Sequence, residues 1–160
     1  MSRVKGQIMI EVGEAAPEFT LPRDGEGDIT LSALQGNQVV LYFYPKDDTT
    51  GCTKEACDFR EAYSAFQKLG VEVIGVSPDP VKKHDKFKAK YDLPFPLLSD
   101  EEKTVVSEYG VWVEKSMYGR KFMGVERSTF LIGADGKVQA AWRKVKVPGH
   151  VDAVMKALQD

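Results

Sequence analysis

Two cysteines, Cys52 and Cys57, are the groups in this chain best suited to covalent chemistry, and both lie in the stretch QVVLYFYPKDDTTGCTKEAC from Gln38 to Cys57. A thiol reacts as its thiolate, and the unpaired N–H groups and dipole at a helix N-terminus favour that anion. The flanking sequence puts Cys52 in such a place. Val39 to Tyr44 is an unbroken apolar run rich in β-branched and aromatic residues, the pattern of a strand buried on both faces. Pro45 ends it, Lys46 to Gly51 make a polar turn, and from Thr53 the pattern becomes helical, with Ala56, Phe59, Tyr63 and Phe66 three or four apart. Either Thr49 or Thr50 can supply an N-cap oxygen. Five helical residues rise about 7.5 Å and turn the two side chains about 140° apart. A disulfide needs Cα atoms about 4.4 to 6.8 Å apart, so Cys52 and Cys57 can join only if the first turn or two unwinds. A bond with that requirement suits a catalytic cycle better than a structural staple.

The elements that must hold these cysteines follow from the rest of the chain. From Ala15 to Gly36, short apolar pieces alternate with turns and read as a β-hairpin followed by a short turn at Ser32 to Leu34. A helix from about Thr53 to Leu69 stops at Gly70, and Val71 to Val76 is a second buried strand. Asp79 and Pro80 open a charged helix through about Tyr91, whose lysines read as a solvated face. Pro94 to Leu98 is a short strand, and Asp100 caps a helix from about Glu101 to Tyr109. Val111 to Val125 reads as an irregular excursion. Ser128 to Ile132 and Lys137 to Arg143 are strands joined at Asp135-Gly136, a strong hairpin signal, and a last helix runs from about Gly149 to Leu158. Alternating strands and helices of this kind build a sheet with helices packed on it: an α/β chain with an added N-terminal β-hairpin.

Length and composition bound the function. At 160 residues, one domain over 1–160 has enough chain for a full core. A net charge of -2 gives no basic excess for nucleic acid or an anionic membrane. Charges at Arg3, Lys5 and Glu11 interrupt the apolar N-terminal residues, so neither a signal peptide nor a membrane span is expected, and the reading is cytoplasmic. Two cysteines are too few for a secreted disulfide scaffold and point to redox or metal chemistry. The two histidines, His84 and His150, stand in no ligand spacing and read as surface residues, so no metal or other cofactor is expected. Asp47 and Asp48 are neighbours whose side chains diverge, which argues against a paired-carboxylate acid–base site.

The spacing Pro45-x-x-x-Thr49-x-x-Cys52 matches the peroxiredoxin active-site motif. With Cys57 five residues on and Arg127 in the stretch ERSTFLI, the chain resembles the bacterioferritin comigratory protein or peroxiredoxin Q branch of that family from about Val12 to the C-terminus. The resemblance implies a thioredoxin-like fold and a thiol peroxidase acting on hydrogen peroxide and organic hydroperoxides. It makes Cys52 the peroxidatic thiolate, Thr49 a hydroxyl partner, Arg127 the cation that holds thiolate and peroxide together, and Pro45 a shield for the site. Attack leaves a sulfenic acid, which condenses with a nearby thiol. Branch members with a cysteine at this spacing make Cys57 the resolving thiol, an intramolecular disulfide the product, and thioredoxin or a similar dithiol the reductant. The branch also implies a monomer.

Read from the residues alone, plainer roles stand beside these. Thr49 is an N-cap, Pro45 a strand terminator, Arg127 a surface cation, and Cys57 a small core residue. Glu55 either orients Arg127 through a bidentate pair or is an ordinary first-turn acid. A general thiol–disulfide oxidoreductase is the alternative activity, although such enzymes carry two residues between their cysteines and this chain has four. A peroxide sensor or chaperone-like binding module is a third.

Overall fold

A strand apolar at every position must be covered on both faces, and alternation along it divides its side chains between two cores. That is how the middle of this chain is used. The protein is described from a computed structural model covering residues 10–159. Arg3 and Lys5, which bear on the expectation of no leader or span, lie outside the described residues. In chain order the elements are β1 (Thr20–Pro22), β2 (Asp28–Thr30), a 3-10 turn (Leu31–Leu34), β3 (Gln38–Phe43), α1 (Thr50–Lys68), β4 (Val71–Ser77) and α2 (Val81–Tyr91). There follow β5 (Leu97–Ser99), α3 (Thr104–Glu108), β6 (Trp112–Met117), β7 (Arg120–Val125), β8 (Ser128–Ile132), β9 (Val138–Trp142) and α4 (His150–Gln159).

The central sheet has the order β5-β4-β3-β8-β9, with β3, β4 and β5 parallel and β8 antiparallel to both β3 and β9. From β3, Val39, Leu41 and Phe43 enter one core with Ile74, Val76, Tyr109 and Phe130. Val40 and Tyr42 enter the other, with Phe59 and Phe66 of α1 and Val151 and Val154 of α4. The hairpin β1–β2 forms its own two-stranded sheet, and the residues just after β1 join it to β5 through the Arg23–Leu98 bridge. This is the thioredoxin-like α/β architecture with an added N-terminal β-hairpin.

Four expectations need correction. Residues 111–125 are not irregular: β6 and β7 form a regular antiparallel hairpin. Its turn residues, Tyr118 and Gly119, both have positive φ, 53° and 76°, the geometry of a type I′ turn made without the usual Asn-Gly or Asp-Gly pair. The helix after Asp100 is short, because only Thr104–Glu108 is helical, and Asp100 instead accepts a hydrogen bond from the Val106 N–H at 2.8 Å. Lys88 on α2 is not part of the solvated face: it is half-buried and meets the Asp24 carboxylate at 2.7 Å. Finally, His84 and His150 are buried.

The two histidines take opposite charge states for physical reasons. Burial pushes the imidazole of His150 down to about 4, with the Arg127 charge adding to the fall, so it is neutral and bonded to the Thr129 hydroxyl at 2.7 Å. His84 is fully buried, yet Nδ1 faces the Asp47 carboxylate at 2.6 Å and Nε2 faces the Leu98 carbonyl at 2.9 Å. Both partners are acceptors, so both ring nitrogens donate and the ring is an imidazolium. Burial opposes that charge, but Asp47, the Leu98 carbonyl and Asp79 outweigh it and raise the pKa above 6.5. Asp47 also accepts from the Tyr44 hydroxyl at 2.5 Å, and its N–H donates to Asp79 at 2.7 Å. The cluster ties the loop after β3 to α2 and β5.

A histidine with a raised folded pKa contributes stability fully below the unfolded value of about 6.5 and loses it as pH rises through the folded value. Replacing His84 with Gln leaves Asp47 buried beside Asp79 without its cation, an expected loss of about 3 to 5 kcal/mol. Urea midpoints of wild type and His84→Gln at about pH 6 and about pH 9 check this. The gap between them narrows at the higher pH; a gap that stays constant contradicts the assignment.

Candidate active site

The loop that leaves β3 reverses quickly because Asp48 takes the left-handed conformation, with φ 59°. Its carboxylate is held there by the Lys90 ammonium and the Tyr91 hydroxyl, each at 2.9 Å. Asp47 turns inward to His84 and Asp48 turns out to Lys90, so the two carboxylates diverge as their adjacency predicts. Thr49 is extended and begins α1 through its carbonyl, which accepts from the Thr53 N–H at 2.8 Å. Its hydroxyl does not cap the helix: it donates back to the Lys46 carbonyl at 3.0 Å. The helix therefore starts at Thr50, three residues earlier than periodicity predicts, and Cys52 lies in its first turn. Pro45 is half-buried at the start of the same loop.

Arg127 arrives from another part of the chain by sheet register. Ser128 of β8 pairs with Phe43 of β3, so the residue before Ser128 stands beside the point where the Cys52 loop departs. The guanidinium then divides its donors: Nη1 meets Glu55 Oε1 at 2.7 Å and Nη2 meets Cys52 Sγ at 3.2 Å. Such charge-assisted bonds are stronger than neutral ones and fix direction. Cys52 is 2% exposed and Glu55 is fully buried. Of the two sequence readings of Glu55, the structure gives the partner of Arg127, through one oxygen rather than two, since Oε2 has no partner among the described residues. Burial pushes the Glu55 carboxyl up to about 7, against the pull of Arg127. For Arg127 itself burial acts downward, but Glu55 and Cys52 reverse it and raise the pKa.

The sequence offers the backbone N–H groups of Gly51 and Cys52 as further donors to the developing charge, but not the space that Gly51 leaves. A Cβ there would stand 3.1 Å from Arg127 Nη2, so the missing side chain makes room for the guanidinium over the first turn. The only signal in the sequence is a glycine placed just before the cysteine, inside a helix start.

Cys57 lies on another side of α1 and is half-buried, opening on a shallow groove between Thr53, Lys54 and the Asp48–Lys90–Tyr91 cluster. Both cysteines are free thiols and α1 is unbroken between them. The structure thus brings Cys52, Glu55 and Arg127 together, sets Thr49 and Pro45 on the loop that carries them, and holds Cys57 apart.

Two outcomes follow. Gly51→Ala presses on the guanidinium while gaining up to about 1 kcal/mol of helix propensity, so kcat/KM for peroxide falls roughly tenfold with no loss of melting temperature. A parallel loss of both would mean a folding defect instead. As pH falls through about 7, Glu55 takes up a proton and releases its charge pair with Arg127, so kcat/KM falls with it. That inflection is expected in wild type and absent in Glu55→Gln, as measured by peroxide consumption across pH.

Comparison with known proteins places this geometry. The AhpC/TSA family pattern matches residues 12–141. Peroxiredoxin Bcp of Bacillus subtilis is 48% identical over 153 residues, covering 96% of this chain and 98% of its own length. Peroxiredoxin Bcp of Escherichia coli is 42% identical, covering 94% and 97%. Among solved structures, Xanthomonas campestris peroxiredoxin Q aligns with a TM-score of 0.87 at 47% identity, covering 94% of this chain and 95% of that one. A second structure, of the X. campestris bacterioferritin comigratory protein, is described in terms of its alkyl peroxide reduction activity and aligns with the same TM-score at 46% identity over 94% of this chain and 96% of that one. Among the described residues, no helix is long and apolar enough to cross a membrane. With its free cysteine, arginine and buried glutamate gathered at the start of one helix, the chain belongs to the AhpC/TSA family, among the peroxiredoxins, and is a thiol-dependent peroxidase.

Proposed function

We propose that Cys52 is the peroxidatic thiolate, that hydrogen peroxide and small organic hydroperoxides are its substrates, and that Cys57 resolves the oxidised enzyme within the chain. The observation that carries this reading is the Arg127 guanidinium, which spans Cys52 Sγ and Glu55 at the first turn of α1. The thiolate attacks the terminal oxygen, the O–O bond breaks, and the departing alkoxide or hydroxide takes up a proton and leaves as alcohol or water. Arg127 and the first-turn N–H groups stabilise the negative charge that moves from sulfur to leaving oxygen. Thr49 and Pro45 shape the loop on which this happens, and Thr49 becomes a hydroxyl partner when peroxide is bound.

The resulting sulfenic acid is condensed by the Cys57 thiol, with loss of water, to a disulfide. Intact helical geometry forbids that bond, so the first turns of α1 unwind in each cycle. The half-buried position of Cys57 supports its role, because the disulfide then carries a sulfur open to an external thiolate. A thioredoxin-type dithiol restores both thiols by exchange, itself becoming a disulfide. One domain over 1–160, acting as a monomer in the reducing cytoplasm, suffices for this chemistry, which needs no metal or cofactor.

Mass measurement after one equivalent of hydrogen peroxide, followed by peptide mapping, tests the scheme. The expected product has lost two hydrogens within the peptide holding Cys52 and Cys57. Cys52→Ser abolishes turnover, and Cys57→Ser consumes one equivalent and stops at an oxygenated Cys52. Added oxygen on Cys52 of the wild type, with Cys57 still free, would replace the internal disulfide with an external thiol.

A further inference from the structure

The β6–β7 hairpin takes no part in the central sheet, but its second strand ends at Val125, two residues before Arg127. Lys115 lies opposite Phe122 in this hairpin, and Val113 opposite Gly124. The lysine stem does not stand upright on its own strand. Its Cδ lies 3.2 Å, and its Cε 3.5 Å, from where a Cβ on Gly124 would be. Gly124 is nearer the base of the hairpin than Phe122, so the stem is laid down toward Arg127, and a side chain at position 124 would press on it.

The ammonium at the end of this stem has an unusual environment. Lys115 is half-buried, and its ammonium makes no hydrogen bond or ion pair among the described residues. The neighbouring acid, Glu114, points to the opposite face by strand alternation and pairs with Lys121 at 3.6 Å. Burial, and after it the Arg127 charge, lower the pKa of Lys115, against the smaller pull of Glu126 and Cys52. A second cation is therefore held on the Arg127 side of the hairpin without a carboxylate partner of its own. What this arrangement lacks is an anion.

We propose that Lys115 is a specificity-determining residue, binding a carboxylate carried by the substrate while the hydroperoxide group of the same molecule reaches Cys52. The proposal rests on the Cys52 reading above. It adds no chemical step: the O–O bond is broken as before, and Lys115 acts by charge and position.

The test uses a matched pair of probes that differ only in charge, 3-hydroperoxy-3-methylbutanoate and its methyl ester, with hydrogen peroxide as reference. In wild type the acid is expected to exceed the ester in kcat/KM by roughly tenfold, the size of a charge-assisted hydrogen bond. In Lys115→Met, which keeps the stem, the acid-to-ester ratio falls to about one, and in Lys115→Arg it is largely restored. A wild-type ratio of one or below overturns the proposal, as does a ratio that survives in Lys115→Met. Equal losses for acid, ester and hydrogen peroxide in that variant also overturn it, by showing that the charge acts on the sulfur site as a whole. Failure of the wild type to reduce hydrogen peroxide would instead remove the Cys52 reading on which the proposal stands.

Discussion

One guanidinium organises this site. Arg127 must be near enough to Cys52 to share its charge, yet a cation left free beside a thiolate would swing toward solvent or collapse onto the sulfur. Glu55 prevents both by occupying the other end of the fork, and it can do so because it sits on the same helix as Cys52, three residues on. That spacing puts Cys52 and Glu55 on one face of α1, so a single helix presents both acceptors to a single donor. Burying the carboxylate is costly, and its pKa rises accordingly, but the cost is borne where it keeps the charge pair rigid. The rest of the structure delivers the two halves: β3 and its loop bring the cysteine, and the β3–β8 register brings the arginine.

The surroundings are built to keep these halves still. The loop between β3 and α1 has no regular hydrogen-bonding ladder, and it is fixed instead by carboxylates at two successive positions pulling in opposite directions, Asp47 to His84 and Asp48 to Lys90 and Tyr91. Beneath α1, Tyr42 stacks on Phe59 with ring centroids 4.6 Å apart, and Phe59 packs against Phe66. The helix is therefore pinned by aromatic packing from Phe59 onward, and at its first turns by the bonds from Arg127 to Cys52 and Glu55.

Much of this was legible in the residues, for reasons that can be named. A run apolar at every position announces a strand covered on both faces, and β3 is that strand. Cys52 at a helix start and the Asp135-Gly136 hairpin were readable because each has a strong local signature, whereas Arg127 stood out only through the family resemblance, since by its own surroundings it reads as a surface cation. The β6–β7 hairpin was not, because its strands are mostly exposed and its turn is Tyr-Gly. His84 was misplaced because histidine is expected at surfaces, although Val81, His84, Phe87 and Tyr91 follow the helical spacing that puts all four on one face. The steric role of Gly51 leaves only a glycine at a helix start as its trace, since it depends on a guanidinium that arrives from 76 positions further along the chain.

The different anchors at the two ends of α1 have a consequence for the partner that must recharge the enzyme. In the reduced protein α1 is a 19-residue helix, and in the proposed cycle oxidation of Cys52 shortens it from the end that Arg127 holds through that sulfur, while the aromatic-pinned end stays in place. Redox state is thereby converted into helix length at a fixed point of the surface. A reductant that meets the protein at that end can tell a spent molecule from a ready one by shape, before any sulfur is touched, and has no reason to linger once the helix has grown back.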